Sequence, residues 1–314
     1  MELESAPCWA YLLACSDGTY YAGWTDNLDR RLAAHNRGTG AKYTRSRRPV
    51  RLVYREPCAT RGEAMEREAW LKTLTHRQKD RLVAIGQGKR PLSGPRLLVW
   101  DFNGTILDDA ALGQKVVGIM LARRGLPPLG PRRYREIFDF PVEGYYRKAG
   151  FDLEGEPFSR LAEEYMALYL AGWQDCPLQK GALSALRLAR KLGISQIILS
   201  ATQQKMLENQ VAQLHLDSYF DQLVGTGDIH ARGKLEEGRA WMAQRGCSPG
   251  EILYIGDTLH DAQMARDLGV ACVLVPGGHQ SPGRLRQAEG AVVLDRPGRL
   301  PAYLSSLFFL GEGR

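Results

Sequence analysis

The chain of 314 residues has no apolar run near the roughly 18 residues that a membrane span requires. Its first residues, MELESAPCWAY, are acidic and lack the apolar stretch of a secretory leader. Six cysteines, Cys8, Cys15, Cys58, Cys176, Cys247 and Cys272, form no CxxC pair, and no histidines stand at metal-ligand spacing. Scattered thiols of this kind suit a reducing compartment, so the expectation is a cytoplasmic protein without disulfides or a membrane partner. No internal repeat and no low-complexity tract occurs, which excludes solenoids and fibrous arrays.

What is present is the composition of a globular protein, 44% hydrophobic and 25% charged, in a chain long enough for two cores. The net charge of +7 is unevenly placed. Residues 1–95 hold 17 Lys and Arg against 10 Asp and Glu, and the remainder is balanced at 25 of each. A basic first third predicts an anionic partner, of which nucleic acid is the commonest. The stretch IGQGKRPLSGP, residues 85–95, is rich in Gly and Pro and marks an interdomain linker. The expected division is therefore a domain over 1–86, a linker over 87–95 and a domain over 96–314.

Before the linker, the pattern predicts strands at 9–14, 20–24 and 51–55 and helices at about 28–35 and 61–74. After it, strands at 97–100, 196–199, 222–225, 252–255, 270–275 and 291–294 alternate with helical segments. That alternation predicts an α/β fold with a parallel sheet.

Within the first segment, AYLLAC, YYAGWT, LDRRLAAHN, GAKYTR and EAMEREAWLK stand in order over residues 8–82. Taken singly, Tyr11 and Tyr21 fit a half-buried sheet, and Arg31 and Glu68 fit helix-surface ion pairs. Together these motifs resemble the GIY-YIG nucleases, whose catalytic domain is small and α+β. The resemblance implies cleavage of DNA with a divalent metal on Glu68 and the scissile phosphate on Arg31. Tyr11 and Tyr21 would border the attacking water, with Tyr11 as general base and His35 and Lys42 in support. Lys42, Arg45, Arg47, Arg48 and Arg51 would contact flanking phosphates, giving salt-sensitive binding.

In the second segment an apolar run, Leu97 to Trp100, leads straight into Asp101-Phe102-Asn103-Gly104-Thr105. Ser200 follows the strand 196–199, Lys234 lies in ARGKLEEG, and YIGDTLHDAQ supplies Asp257 and Asp261. Asp and Gly at strand ends are also ordinary turn residues. The four motifs in this order, with the PGGHQ turn, resemble the haloacid dehalogenase superfamily, and its phosphoglycolate-phosphatase-like branch most closely. The resemblance implies a Rossmann-like sheet with a helical cap inserted at about 108–178. It makes Asp101 the nucleophile and Asp101, Asn103, Asp257 and Asp261 the Mg²⁺ site, with Mn²⁺ as an alternative ion in both domains. Gly104, Thr105, Ser200, Ala201 and Lys234 would meet the phosphate. In the cap, Phe138, Phe140, Tyr145 and Tyr146 fit either cap core or pocket wall, and Arg147 is a candidate anion contact.

The departure from the family pattern is Asn103, where a second carboxylate usually protonates the leaving oxygen. An amide does not titrate, and losing a general acid–base costs on the order of 10²–10⁴ in rate. The position keeps its backbone carbonyl for the metal. Three readings follow: a slow phosphatase favouring good leaving groups, a phosphate-binding domain without turnover, or a phosphotransferase. The fusion predicts a two-activity hydrolase acting on DNA and on a small phosphate ester or a phosphorylated DNA end, as in DNA repair. The alternative is a DNA-binding protein that senses a phosphorylated ligand.

Overall fold

The computed structural model describes residues 8–58, 60–86, 94–226 and 248–309. They fall into two compact units: residues 8–58, 60–86 and 94 with 183–193 and 300–309, and residues 95–182 with 194–226 and 248–299.

In the first unit, β1 (Cys8–Ala14), β2 (Tyr20–Thr25) and β3 (Arg51–Cys58) form an antiparallel sheet in the order β2-β1-β3. The turn between β1 and β2 uses Gly18 at φ +80°, with the Asp17 carboxylate accepting from the Thr19 amide at 3.0 Å. Helix Leu28–Arg37 starts because Asn27 accepts from the Arg30 amide at 2.9 Å, and it stops at Gly38, φ +86°. Helix Arg61–Thr73 is capped in the same way by Thr60 and packs on β1 and β2. The sequence pattern did not signal two helices, Lys42–Arg45 and His76–Gly86. The second begins where Thr75 and Gln78 exchange side-chain and backbone hydrogen bonds, a cap without an apolar stripe behind it.

The second unit is built on a parallel sheet ordered β6-β5-β4-β7-β8-β9. The strands are β4 (Leu97–Trp100), β5 (Ser195–Gln203), β6 (Gln222–Thr226), β7 (Ile252–Gly256), β8 (Ala271–Leu274) and β9 (Ala291–Val293). β4 is buried throughout, as a strand covered on both faces must be. From β4 the chain moves to β5 on one side and later returns to β7 on the other. That reversal opens a crevice at the carboxyl end of β4. The cap contains helices Ala110–Arg123, Pro131–Ile137, Val142–Ala149 and Phe158–Leu170. No helix among the described residues is long and apolar enough to cross a membrane, and the described cysteines are free thiols.

The first unit buries an ion pair. Arg67 donates from Nε and Nη2 to Glu56 Oε2 at 3.1 and 2.8 Å, and Tyr54 donates to the same oxygen at 2.9 Å. Ser305 Oγ accepts a further bond from Arg67, whose guanidinium lies 4.1 Å from the centre of the Trp70 ring. Glu56→Gln leaves a buried guanidinium without its counter-charge and should cost about 3–5 kcal/mol in urea unfolding. The double replacement Glu56→Leu with Arg67→Met should lose less than the single one. A single variant as stable as the parent would show that this pair does not hold the unit.

Candidate functional site: an acid cluster beneath an aromatic cavity

Three strands of the second unit deliver chemistry to one place. β4 ends one residue before Asp101, β5 carries Ser200 and β7 ends one residue before Asp257. Asp101, Asp257 and the helical Asp261 are all buried, and their ligand atoms lie within 4.8 Å of one another. Asp257 accepts from Thr105 Oγ1 at 2.9 Å and from the His279 amide at 2.7 Å. A side chain at Gly104 (φ +77°) or Gly278 would collide with the Asp257 carboxylate, so both positions must be glycine for the loops to close around it. Asp261 caps its own helix, its Oδ2 accepting from the Asp257 and Thr258 amides and from Thr258 Oγ1. Burial, with Asp101 and Asp261 beside it, pushes the Asp257 carboxyl upward. A crowd of hard oxygen donors that resists ionisation on its own fits a divalent cation.

The side chain of Asn103 is held on every side. Its Nδ2 donates to Asp109 Oδ2 at 2.7 Å and to Tyr169 Oη at 2.8 Å, and its Oδ1 accepts from Thr202 Oγ1 at 2.8 Å. Tyr169, on the cap helix Phe158–Leu170, also donates to Asp109 Oδ2 at 2.7 Å. The other oxygen of Asp109 accepts from the Gly104 amide at 2.9 Å and lies 3.1 Å from His279 Nε2. Burial opposes charge on both members of that pair. Even so, mutual attraction lifts His279 to about 9, and His279, Tyr169 and Asn103 together keep Asp109 below the usual carboxylate range. Protonated His279 then donates from Nδ1 to the Tyr134 hydroxyl at 2.8 Å.

Above these groups lies a cavity of about 500 Å³ whose floor includes Asp101, Asn103 and Ser200. Its roof comes from the cap, with Phe138, Phe140, Tyr145, Tyr146, Phe158 and Tyr165 among the lining residues.

In the first unit, β1 and the helix Leu28–Arg37 bring Tyr11, Arg31 and His35 together. Arg31 Nε donates to Tyr11 Oη at 3.1 Å, and Tyr11 Oη lies 3.1 Å from His35 Nε2. Thr44 gives its only hydroxyl proton to the Ala41 carbonyl, so its 2.7 Å contact with His35 Nδ1 needs the proton on Nδ1. His35 Nε2 is therefore the acceptor and Tyr11 the donor. Burial and the Arg31 charge lower His35 to about 4, and burial raises Tyr11 to about 12. Gly23 faces Tyr11 across the strands, and a Cβ there would come within 2.5 Å of the tyrosine hydroxyl. The Tyr21 ring packs against His35 at 4.9 Å, tilted by 56°, and Glu68 pairs with Lys72.

A family model described as haloacid dehalogenase-like hydrolase matches residues 98–275, more than half of the chain. The chain belongs to the haloacid dehalogenase-like hydrolases. A second model, the GIY-YIG catalytic domain, matches residues 7–81 ahead of it, so the fusion is shown. Over that segment a UPF0213 protein of Bacillus pumilus is 56% identical across 70 residues, 22% of this chain and 71% of the relative. A UPF0213 protein of Natronomonas pharaonis is 48% identical over 84 residues, 27% of this chain and 99% of the relative. A crystal structure of a predicted phosphatase from Clostridium acetobutylicum superposes with TM-score 0.58 at 18% identity, covering 68% of this chain and 100% of that one. A haloacid dehalogenase-like protein of unknown function from Agrobacterium tumefaciens gives 0.56 at 22% identity, over 68% of this chain and 99% of that one. These two likenesses are of fold.

In this haloacid dehalogenase-like chain the Thr105 hydroxyl donates to Asp257 and the Gly104 amide donates to Asp109. Arg147 is exposed and does not line the cavity, whereas Phe138, Phe140, Tyr145 and Tyr146 do. Arg47 is pinned to Asp17 at 2.8 Å and to the Tyr43 carbonyl, and Arg48 folds back on the carbonyls of Arg45 and Asn36. Lys42, Arg45 and Arg51 are exposed, as a phosphate contact requires. Lys234 lies outside the described residues. Asp109, Tyr169, Thr202 and His279 were not singled out by sequence; the doubled acid Asp108-Asp109 and the His in PGGHQ were the available signals.

The Asn103 network makes a prediction about the obvious reversion. Asn103→Asp places a second carboxylate 2.7 Å from the ionised Asp109 oxygen and removes two donors. With chelator present, it should lose on the order of 3 kcal/mol in urea unfolding at pH 8. The new carboxyl has a raised folded pKa, so the deficit is absent below the unfolded value, about 3.9, and grows as pH rises. The loss at pH 5 should therefore be smaller than at pH 8. A variant as stable as the parent at both would contradict the assigned network.

Proposed function

We propose that the chain is a two-activity hydrolase, a metal-dependent DNA endonuclease joined to a phosphatase that works through an aspartyl-phosphate. The observation that carries the phosphatase reading is the trio of buried carboxylates at the strand ends beneath a cavity. Asp101 attacks phosphorus and holds the phosphoryl group as an acyl phosphate until water releases it. Ser200, whose Oγ accepts from the Thr202 amide at 3.1 Å, keeps its O–H to donate to a phosphoryl oxygen. Lys234 neutralises charge on the transferring group. Asp101, Asp257 and the Asn103 carbonyl would hold Mg²⁺ or Mn²⁺, with Asp261 in support, and such an ion would supply neutralisation of phosphoryl charge.

In the first unit Arg31 binds the scissile phosphate, Glu68 holds the metal, and Lys42, Arg45 and Arg51 bind flanking DNA. Tyr11 takes a proton from the attacking water while passing its own to His35 Nε2, so no free phenolate is needed. A second reading draws on the saturated Asn103 amide. The second domain then binds a phosphorylated ligand with little turnover and modulates DNA binding.

The deciding test uses full-length protein with Mg²⁺. Phosphate release from small esters should fall on the order of 10³-fold or more in Asp101→Asn and stop with chelator. Nicking of DNA should be lost in Glu68→Gln and in Arg31→Ala. An inert wild type whose DNA affinity shifts with a phosphate ligand would select the second reading.

A further inference from the structure

Three features of the second unit bear on which ester it takes. The cavity over Asp101 is about 500 Å³, within the roughly 300–1,000 Å³ that holds drug-sized ligands. A two-carbon acid would leave most of it empty. The walls offer ring faces and edges: Phe138 meets Phe140 at 87° and Tyr145 lies 5.2 Å from Phe138. Such rings bind flat apolar bodies well. Among the described lining residues there is no Lys or Arg, while Asp109, Glu143 and Asp261 add negative charge. Of the described lining residues only His260 and His279 are basic, and His279 is already engaged with Asp109 and Tyr134.

Position 103 offers the leaving oxygen no acidic proton. The Asn103 amide does not titrate, Asp109 accepts on both oxygens, and the Tyr169 proton is already donated to Asp109. An alkoxide does not depart readily without protonation, whereas a phenoxide does.

From the cavity and the saturated amide together we infer that the substrate is an aryl phosphate, a monoester of a phenol with an uncharged aromatic body. This deepens the phosphatase reading and rests on it. The Asp101 oxygen forms the new bond to phosphorus, the P–O(aryl) bond breaks, and the phenoxide leaves with the electron pair and takes a proton from solvent. Water then attacks the aspartyl-phosphate, regenerating Asp101 and releasing inorganic phosphate and a proton. Phe138, Phe140 and Tyr165 set the specificity by stacking on the ring.

The test compares phenyl phosphate, cyclohexyl phosphate and phosphoglycolate with the full-length protein and Mg²⁺, using Asp101→Asn as the control. Phenyl and cyclohexyl esters match in size and differ in leaving group. The expected result is kcat/KM for the phenyl ester at least about 100-fold above either other ester. Asp101-dependent turnover with the three esters within a few-fold of one another would overturn the inference and leave the phosphatase reading standing. No turnover of any ester would remove the phosphatase reading itself. Calorimetry then decides the ligand class, with benzylphosphonate and phosphonoacetate as probes. Benzylphosphonate binding at least tenfold tighter upholds the aromatic assignment, and equal or weaker binding overturns it.

Discussion

Much of the second unit's chemistry turns on one hydrogen bond, from Asn103 Nδ2 to Asp109 Oδ2 at 2.7 Å. It fixes which of two neighbouring positions carries negative charge. With an amide at 103, the carboxylate at 109 stays ionised, draws His279 into its charged form and orders the Gly104 amide. Through Tyr169 the same carboxylate ties a cap helix to the nucleophile loop. A carboxylate thus stands one hydrogen bond away from position 103, where it orients its partners.

The two units use a buried imidazole in opposite ways, and neighbouring charge explains the contrast. His35 lies near Arg31, which adds to burial in keeping it neutral, so it can accept a proton from Tyr11. His279 lies against Asp109, whose charge outweighs burial, so it sits as a cation that donates on both ring nitrogens. Burial alone would have left both neutral. The sign of the nearest fixed charge decides whether each histidine is an acceptor or an anchor.

The parallel sheet and the strand-end acids were legible in the sequence, because a buried strand is a short apolar run and its end is marked by Asp and Gly. All six strands of the second unit and all three of the first fall where the apolar pattern put them, with ends shifted by a few residues, most at β5 and β3. The helix His76–Gly86 was not legible, since its start depends on a Thr75–Gln78 exchange and its surface is largely charged. Nor was the Asn103 network. Thr202, Asp109, Tyr169 and His279 come from four separate segments, and the spacing between them in the chain carries no trace of their meeting. Arg47 and Arg48 read from sequence only as charges in a basic run, and their contacts with nearby carbonyls and Asp17 could not be seen there.

The acid cluster itself is held together against its own electrostatics. Three buried carboxylates within 4.8 Å of one another repel, and backbone donors offset part of this. The Asp257 and Thr258 amides point at Asp261, and the His279 amide points at Asp257. Gly104, Gly256 and Gly278 bring bare main chain against these oxygens where any side chain would collide. Amide dipoles hold carboxylates in place without adding a full counter-charge. A cluster held this way suits a divalent cation, whose charge would relieve the repulsion. Among the described residues no Lys or Arg lines the cavity above it, so acidic side chains dominate the charge at its floor.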